Sequence, residues 1–134
     1  MNECVLDTDI VIAALDRADA HHPVAARAVK QMIGDGTRLL VSPINYAEAL
    51  VRPAATAAAL RAAIDAIKAL GIELSPATAP VAHRAAGLRH TGISLADSFA
   101  LATALSLRAS LATVDSKVRK AARAAGADLV PANR

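Results

Sequence analysis

The chain has a single cysteine, Cys4, one tyrosine, one phenylalanine and no tryptophan. One cysteine excludes an internal disulfide and a zinc ribbon, and it suits a reducing cytoplasm. So few aromatic rings exclude base stacking as the main means of holding nucleic acid. No apolar run reaches the roughly 18 to 20 residues that a membrane-spanning helix needs. The amino terminus lacks the basic stretch and following apolar stretch of a signal peptide. The expectation is a cytoplasmic protein with no membrane partner. No internal repeat, linker or low-complexity tail is visible beyond an alanine bias, so one domain is expected over residues 1–134.

The apolar fraction of 54% overstates the core, because much of it is alanine, which favours helix and adds little buried area. Bulky Val, Leu and Ile concentrate in short runs. These predict strands at Cys4 to Leu6, Leu39 to Val41, Ile72 to Leu74 and Leu111 to Val114, with room for a last one at Leu129-Val130. Between them, helical patterns predict Asp9 to Leu15, Ala20 to Ile33, and a helix opened by Ser42-Pro43 and ending near Arg52-Pro53. Further helices are predicted over Ala54 to Leu70, Ala79 to Arg89, from the Ser94 cap to about Arg108, and over Lys117 to Ala125. Strand and helix alternate throughout, which argues an α/β/α sandwich around a central, mostly parallel sheet of four to five strands.

Four acids stand out. Asp7 and Asp115 each close a short apolar run. Glu48 lies in YAEAL and Asp97 in LADSFALATAL, both apolar helical patterns. Desolvating a carboxylate is costly, so four acids in apolar settings point to a shared divalent cation. In open α/β sheets, sites form at the carboxyl ends of strands, where Asp7 and Asp115 stand. Asp97 falls in a first helical turn, where the helix dipole favours negative charge. Each acid also has a plainer role. Asp7 and Asp115 can cap the helices that follow them, Asp97 can be an ordinary first-turn acid, and Glu48 can pair with Arg52 one turn on. His21, His22, His83 and His90 read as surface or packing residues.

Charge is unevenly spread. Residues 1–83 hold seven Lys/Arg against nine Asp/Glu, whereas residues 84–134 hold eight against three. A basic surface around an acidic pocket suits a polyanion held by its phosphates. A solvated, Arg-rich helical face accounts for the same charges equally well.

The segments VLDTDIVIAAL, VSPINYAEAL, SLADSFALATAL and LATVDSKVRKAA, in this order and spacing, resemble those of PIN-domain ribonucleases, specifically the toxins of VapBC-type toxin–antitoxin pairs. The resemblance spans essentially the whole chain. It implies a parallel sheet between helices, Mg²⁺- or Mn²⁺-dependent cleavage of RNA, homodimers, and inhibition by a small antitoxin. Asp7, Glu48, Asp97 and Asp115 match the family's four acids, so they are the expected catalytic and metal-holding residues. Asp7 and Asp97 are expected as direct ligands. Thr113 matches a hydroxyl residue two positions before the last acid. Asp9 departs from the family, which more often has Ser, Thr or Asn there; it either adds charge to the pocket or simply begins a helix, and it is left outside the core site. The helix after Asp115 carries Lys117, Arg119, Lys120 and Arg123. Arg119 and Arg123, one turn apart, are expected to contact phosphates, with Lys117 and Lys120 as alternatives. Leu60, Ile64, Ile67 and Leu70 form a stripe that packs on the core or offers helical surface to a partner.

Two rival readings differ in kind. Asp7-Thr8-Asp9-Ile10-Val11 also fits a haloacid-dehalogenase-like phosphatase, with Asp7 as nucleophile and Asp9 as acid/base. That reading leaves Glu48 and Asp97 without work. The other is a degenerate PIN-like module that acts only through protein partners.

Overall fold

Five short runs pair into one sheet: β1 (Glu3–Leu6), β2 (Arg38–Val41), β3 (Glu73–Leu74), β4 (Ser110–Ala112) and β5 (Leu129–Val130). The structure is a computed structural model and describes residues 2–132, so the outer limits of the expected 1–134 span lie outside it. The strand order is β3-β2-β1-β4-β5, and every pairing is parallel. Chain connectivity runs outward from β1 through β2 to β3, then returns to β4 on the other side of β1. The reversal puts a topological switch point between β1 and β4, where α/β folds place their sites.

Alternation along the strands builds two cores. Cys4, Leu6, Leu39, Val41 and Ala112 pack against α1 (Thr8–Leu15), α2 (His22–Gly34), α3 (Pro43–Leu50) and α4 (Ala57–Ala69). Val5, Leu40 and Leu111 point the other way, onto α6 (Leu95–Leu107) and α7 (Ser116–Ala125). Successive side chains of a strand face opposite sides of the sheet, so the sandwich has helices on both faces, as the alternating sequence predicts. α5 (Ala79–Leu88) adds to the outer side of α6 through Val81, Ala85 and Ala102.

Several boundaries differ from the sequence expectation, each for a local reason. The segment from Ala54 to Leu70 is not one helix. Pro53–Ala55 form a 3₁₀ turn, and Thr56 is extended at φ −134°, ψ 150°, its hydroxyl accepting from the Ala59 amide at 3.1 Å. Thr56 therefore caps α4. Residues 16–21 stay outside α2, because Asp16 accepts from the Ala18 amide at 2.9 Å and Asp19 from the His21 amide at 2.8 Å. Such short side chains compete with helix for the backbone amides. β4 ends at Ala112, although the Thr113 amide still donates to Val130 at 3.1 Å. Ile67 of α4 is buried, while Leu60, Ile64 and the C-cap residue Leu70 are only partly covered. Among the described residues, no helix is long and apolar enough to cross a membrane.

Candidate active site

Asp7 is the residue on which the site turns. It follows β1 directly and caps α1, its Oδ1 accepting from the Ile10 amide at 2.8 Å. Thr8 and Ile10 are buried in that first turn, so Asp7 is drawn inward and is only 1% exposed. Its Oδ2 is buried and has no hydrogen-bond partner among the described residues. Burial pushes the carboxyl up to about 7, against the lowering pull of Thr113 and the Ile10 amide, and the charges of Asp9 and Asp97 raise it further.

The other three predicted acids arrive on separate elements. Asp115 caps α7, one oxygen accepting from the Lys117 and Val118 amides at 2.9 and 3.0 Å. Asp97 lies in the first turn of α6, its amide donating to the Ser94 hydroxyl at 3.1 Å. Glu48 lies on α3. The plain capping roles are therefore real for Asp7 and Asp115, and they coexist with a shared field. Burial raises the Asp97 carboxyl from its ordinary value, against the lowering pull of Ser94, and Asp115 and Glu48 raise it further. Only Asp7 is deeply buried; Asp97 and Asp115 are half-buried and Glu48 is exposed. The apolar neighbours of Glu48 in sequence do not enclose it, because Ala49 faces the core while Glu48 faces out.

Asp9, set aside on the sequence, belongs to the same field. Partial burial raises it first, followed by the charges of Asp97, Asp115, Glu48 and Asp19. Its place in the first turn of α1, two residues from Asp7, was the available signal. Asp19, in the turn before α2, offered none.

The basic helix divides. Lys117, Lys120 and Arg123 are exposed. Arg119 is only 3% exposed and turns inward, Nη1 donating to the Thr113 carbonyl at 2.7 Å and Nη2 to the Pro131 carbonyl. The expected Arg119–Arg123 phosphate face is thus corrected: Arg119 braces the ends of β4 and β5 from within. Val118 and Ala122 flank it on the buried stripe, which is the pattern that marked it.

Whether these residues suit a cation can be judged from the donors. Hard oxygen donors and an orphaned buried carboxylate oxygen fit Mg²⁺ or Mn²⁺. Among the described residues, no three His, Cys, Asp or Glu side chains close into a ligand cage, so water must complete any coordination sphere, as Mg²⁺ tolerates. A groove of about 940 Å³ lies elsewhere, lined by Glu3, Arg27, Arg108 and Asp128, and it contains none of these five acids.

Against known proteins, the PIN domain family profile matches residues 4–124. Among solved structures, VapBC2 of Rickettsia felis, bound to a fragment of its promoter DNA, aligns with a TM-score of 0.70 at 17% identity, over 88% of this chain and 92% of that one. VapC20 of Mycobacterium tuberculosis, a toxin that cleaves the sarcin–ricin loop, aligns at 0.67 and 18% identity, over 92% and 95%. A toxin–antitoxin complex of Klebsiella pneumoniae aligns at 0.62 and 25% identity, over 85% and 88%. No curated protein matches the sequence.

Proposed function

We propose that this chain, which belongs to the PIN domain family, is a metal-dependent endoribonuclease serving as the toxin of a VapBC-type toxin–antitoxin pair in the cytoplasm. Asp7 carries the reading. A fully buried carboxylate with an orphaned oxygen, at the switch point of a parallel sheet and in the field of other acids, is a costly arrangement without a cation. Family membership displaces the phosphatase reading, and a shared metal site would give Glu48 and Asp97 the work that reading denied them.

Asp7 and Asp97 would hold the divalent ion, and Asp115 and Glu48 would accept hydrogen bonds from the surrounding water. When bound, Mg²⁺ or Mn²⁺ makes a coordinated water more acidic and neutralises charge developing on the scissile phosphate. Glu48, exposed at the rim, would take the proton of the attacking water as the P–O bond to the leaving RNA oxygen breaks and that oxygen is protonated by solvent. Thr113 steadies Asp7 from the neighbouring strand end. Lys117, Lys120 and Arg123 hold flanking RNA phosphates. The protein acts as a homodimer and is silenced by a small antitoxin that places an arginine among the acids, because a guanidinium pairs bidentately with carboxylates.

Purified protein incubated with total cellular RNA and Mg²⁺ should produce discrete cut ends, absent with Asp7→Asn. Expressing the chain alone should arrest growth, and co-expressing the small reading frame just upstream should restore it. Light scattering should show a dimer at tens of micromolar. Intact RNA together with normal growth and abundant soluble protein would sink the reading and leave a degenerate interaction module.

A further inference from the structure

Asn45 lies in the first turn of α3 and is fully buried. Its Nδ2 donates to the Thr8 hydroxyl at 3.0 Å and to the Ala96 carbonyl at 3.0 Å. A carbonyl only accepts, so the amide has one possible orientation. Its Oδ1 is buried without a hydrogen-bond partner among the described residues. An unsatisfied buried acceptor costs roughly 1–3 kcal/mol. Stability alone would place leucine or methionine here. The amide must therefore do something that an apolar side chain cannot.

Its partners indicate what. Thr8 follows Asp7 in sequence, Ala96 precedes Asp97, and Glu48 lies one helical turn beyond Asn45 itself. One side chain thus ties together α1, α3 and α6, the helices that carry Asp7, Glu48 and Asp97. Helix α3 packs against both α1 and α6. The acids on these helices repel one another, which drives the helices apart. We infer that Asn45 is a positioning residue: its amide fixes the spacing of Asp7, Glu48 and Asp97 by pinning Thr8 and Ala96 to one helix. The inference rests on the reading of these acids as the catalytic site, and it adds a residue that contacts neither metal nor RNA.

The test compares Asn45→Leu, Thr8→Val and Thr8→Ser with the unaltered protein. Three readouts are taken: Mn²⁺ affinity by calorimetry, kcat and KM for RNA cleavage, and hydrogen exchange of the Ile10 and Asp97 amides without metal. Those amides report the caps at Asp7 and Ser94. Asn45→Leu should weaken Mn²⁺ binding and lower kcat by about 10- to 100-fold, the scale of lost outer-shell contacts. KM should stay within a few-fold, the melting temperature should hold or rise, and both amides should exchange faster. Thr8→Val, near-isosteric, should move the readouts the same way, and Thr8→Ser should rescue them. Unchanged Mn²⁺ affinity and kcat in a folded Asn45→Leu overturns the inference and leaves the nuclease reading standing. A Thr8→Ser variant as impaired as Thr8→Val also overturns it. If the unaltered protein neither binds Mn²⁺ nor cuts RNA, the nuclease reading fails by itself. Hydrogen exchange then decides the staple: faster exchange in Asn45→Leu supports it, and unchanged exchange rejects it.

Discussion

The Asp7 amide donates to the Ala112 carbonyl at 3.2 Å, one residue past the last paired residues of β1 and β4. The bond extends the ladder into the site itself. It sets Asp7 level with Thr113, and Thr113 in turn accepts from the Asp115 amide at 3.2 Å. Two acids more than a hundred positions apart are thus spaced by sheet geometry, which is rigid, and not by loop conformation.

Asp7 makes the metal-free protein sensitive to pH. Its carboxyl is raised in the folded state to about 7 from an ordinary 3.8, chiefly by burial. A raised acid contributes stability that is fully present below its unfolded value and is lost as pH rises through the folded one. Asp9 and Asp97 are raised as well and act in the same direction. Without metal, the melting temperature should fall between about pH 4 and pH 7, by an amount worth a few kcal/mol. Asp7→Asn should flatten that fall, and Mg²⁺ should offset it at the alkaline end. Asp7→Asn should also slow cleavage by about 100-fold or more, the scale of a lost electrostatic contact to a transition state. Differential scanning calorimetry with a chelator present measures the first effect, and a single-turnover cleavage assay the second.

Asp115 caps α7, and substitution can separate that cap from the catalytic role proposed for it. Asp115→Ala removes the cap of α7 and should cost about 1 kcal/mol of stability together with cleavage. Asp115→Ser keeps an oxygen for the Lys117 and Val118 amides but loses the negative charge. Chemical denaturation should find the serine variant near the parent in stability, while the cleavage assay finds it as impaired as the alanine variant. Equal loss of stability in both would show that the cap is not made by this oxygen.

The basic helix should divide in function as it does in structure. Arg119→Met removes the buried bonds to the Thr113 and Pro131 carbonyls and should destabilise the fold by about 2–3 kcal/mol. Replacing Lys117, Lys120 and Arg123 together with alanine should spare stability and reduce the salt slope of RNA binding by about 2, from three fewer single-strand phosphate contacts. Filter binding across a salt series, paired with urea melts, distinguishes the two. An unaltered slope would leave the helix as solvated surface.

Cys4 should be chemically silent. Burial is the main cause that pushes its thiol up to about 11, and the thiolate is the reactive form. Iodoacetamide at pH 8 should leave it unmodified in the native protein and label it fully in denaturant, as intact-mass measurement would show. Rapid native labelling would mean that β1 opens.

The strands were legible because Val, Leu and Ile stand in short runs amid alanine, and Asp7 and Asp115 were legible because each ends such a run. The helix opened by Ser42-Pro43 read correctly for the same kind of reason, a cap and a first-turn proline. What did not read was turn chemistry hidden inside plausible helix. Thr56 looked like one more residue of an alanine-rich segment until its extended backbone and cap bond set it outside α4. Burial of charged side chains was equally opaque. Arg119 and Arg123 are the same residue type one turn apart, yet the ends of β4 and β5 draw only the first inward. Asp9 departs from the family's usual residue, and its neighbours in sequence do not choose between added charge and a plain helix start, because Asp97 and Asp115 approach it only through the fold. Asn45, between an isoleucine and a tyrosine, gave no sign that it joins three helices.

The strand order carries a consequence in time. β1 lies at the centre of the sheet, but its neighbour β4 is contributed from far along the chain, and Asp97 and Asp115 come with that late segment. A polypeptide emerging from the ribosome therefore presents Asp7 and Glu48 long before the strand and helix that complete the pocket exist. During that interval the emerging chain carries two of the four acids without the two that the fold later sets beside them, so the acidic cluster is among the last features of the molecule to assemble.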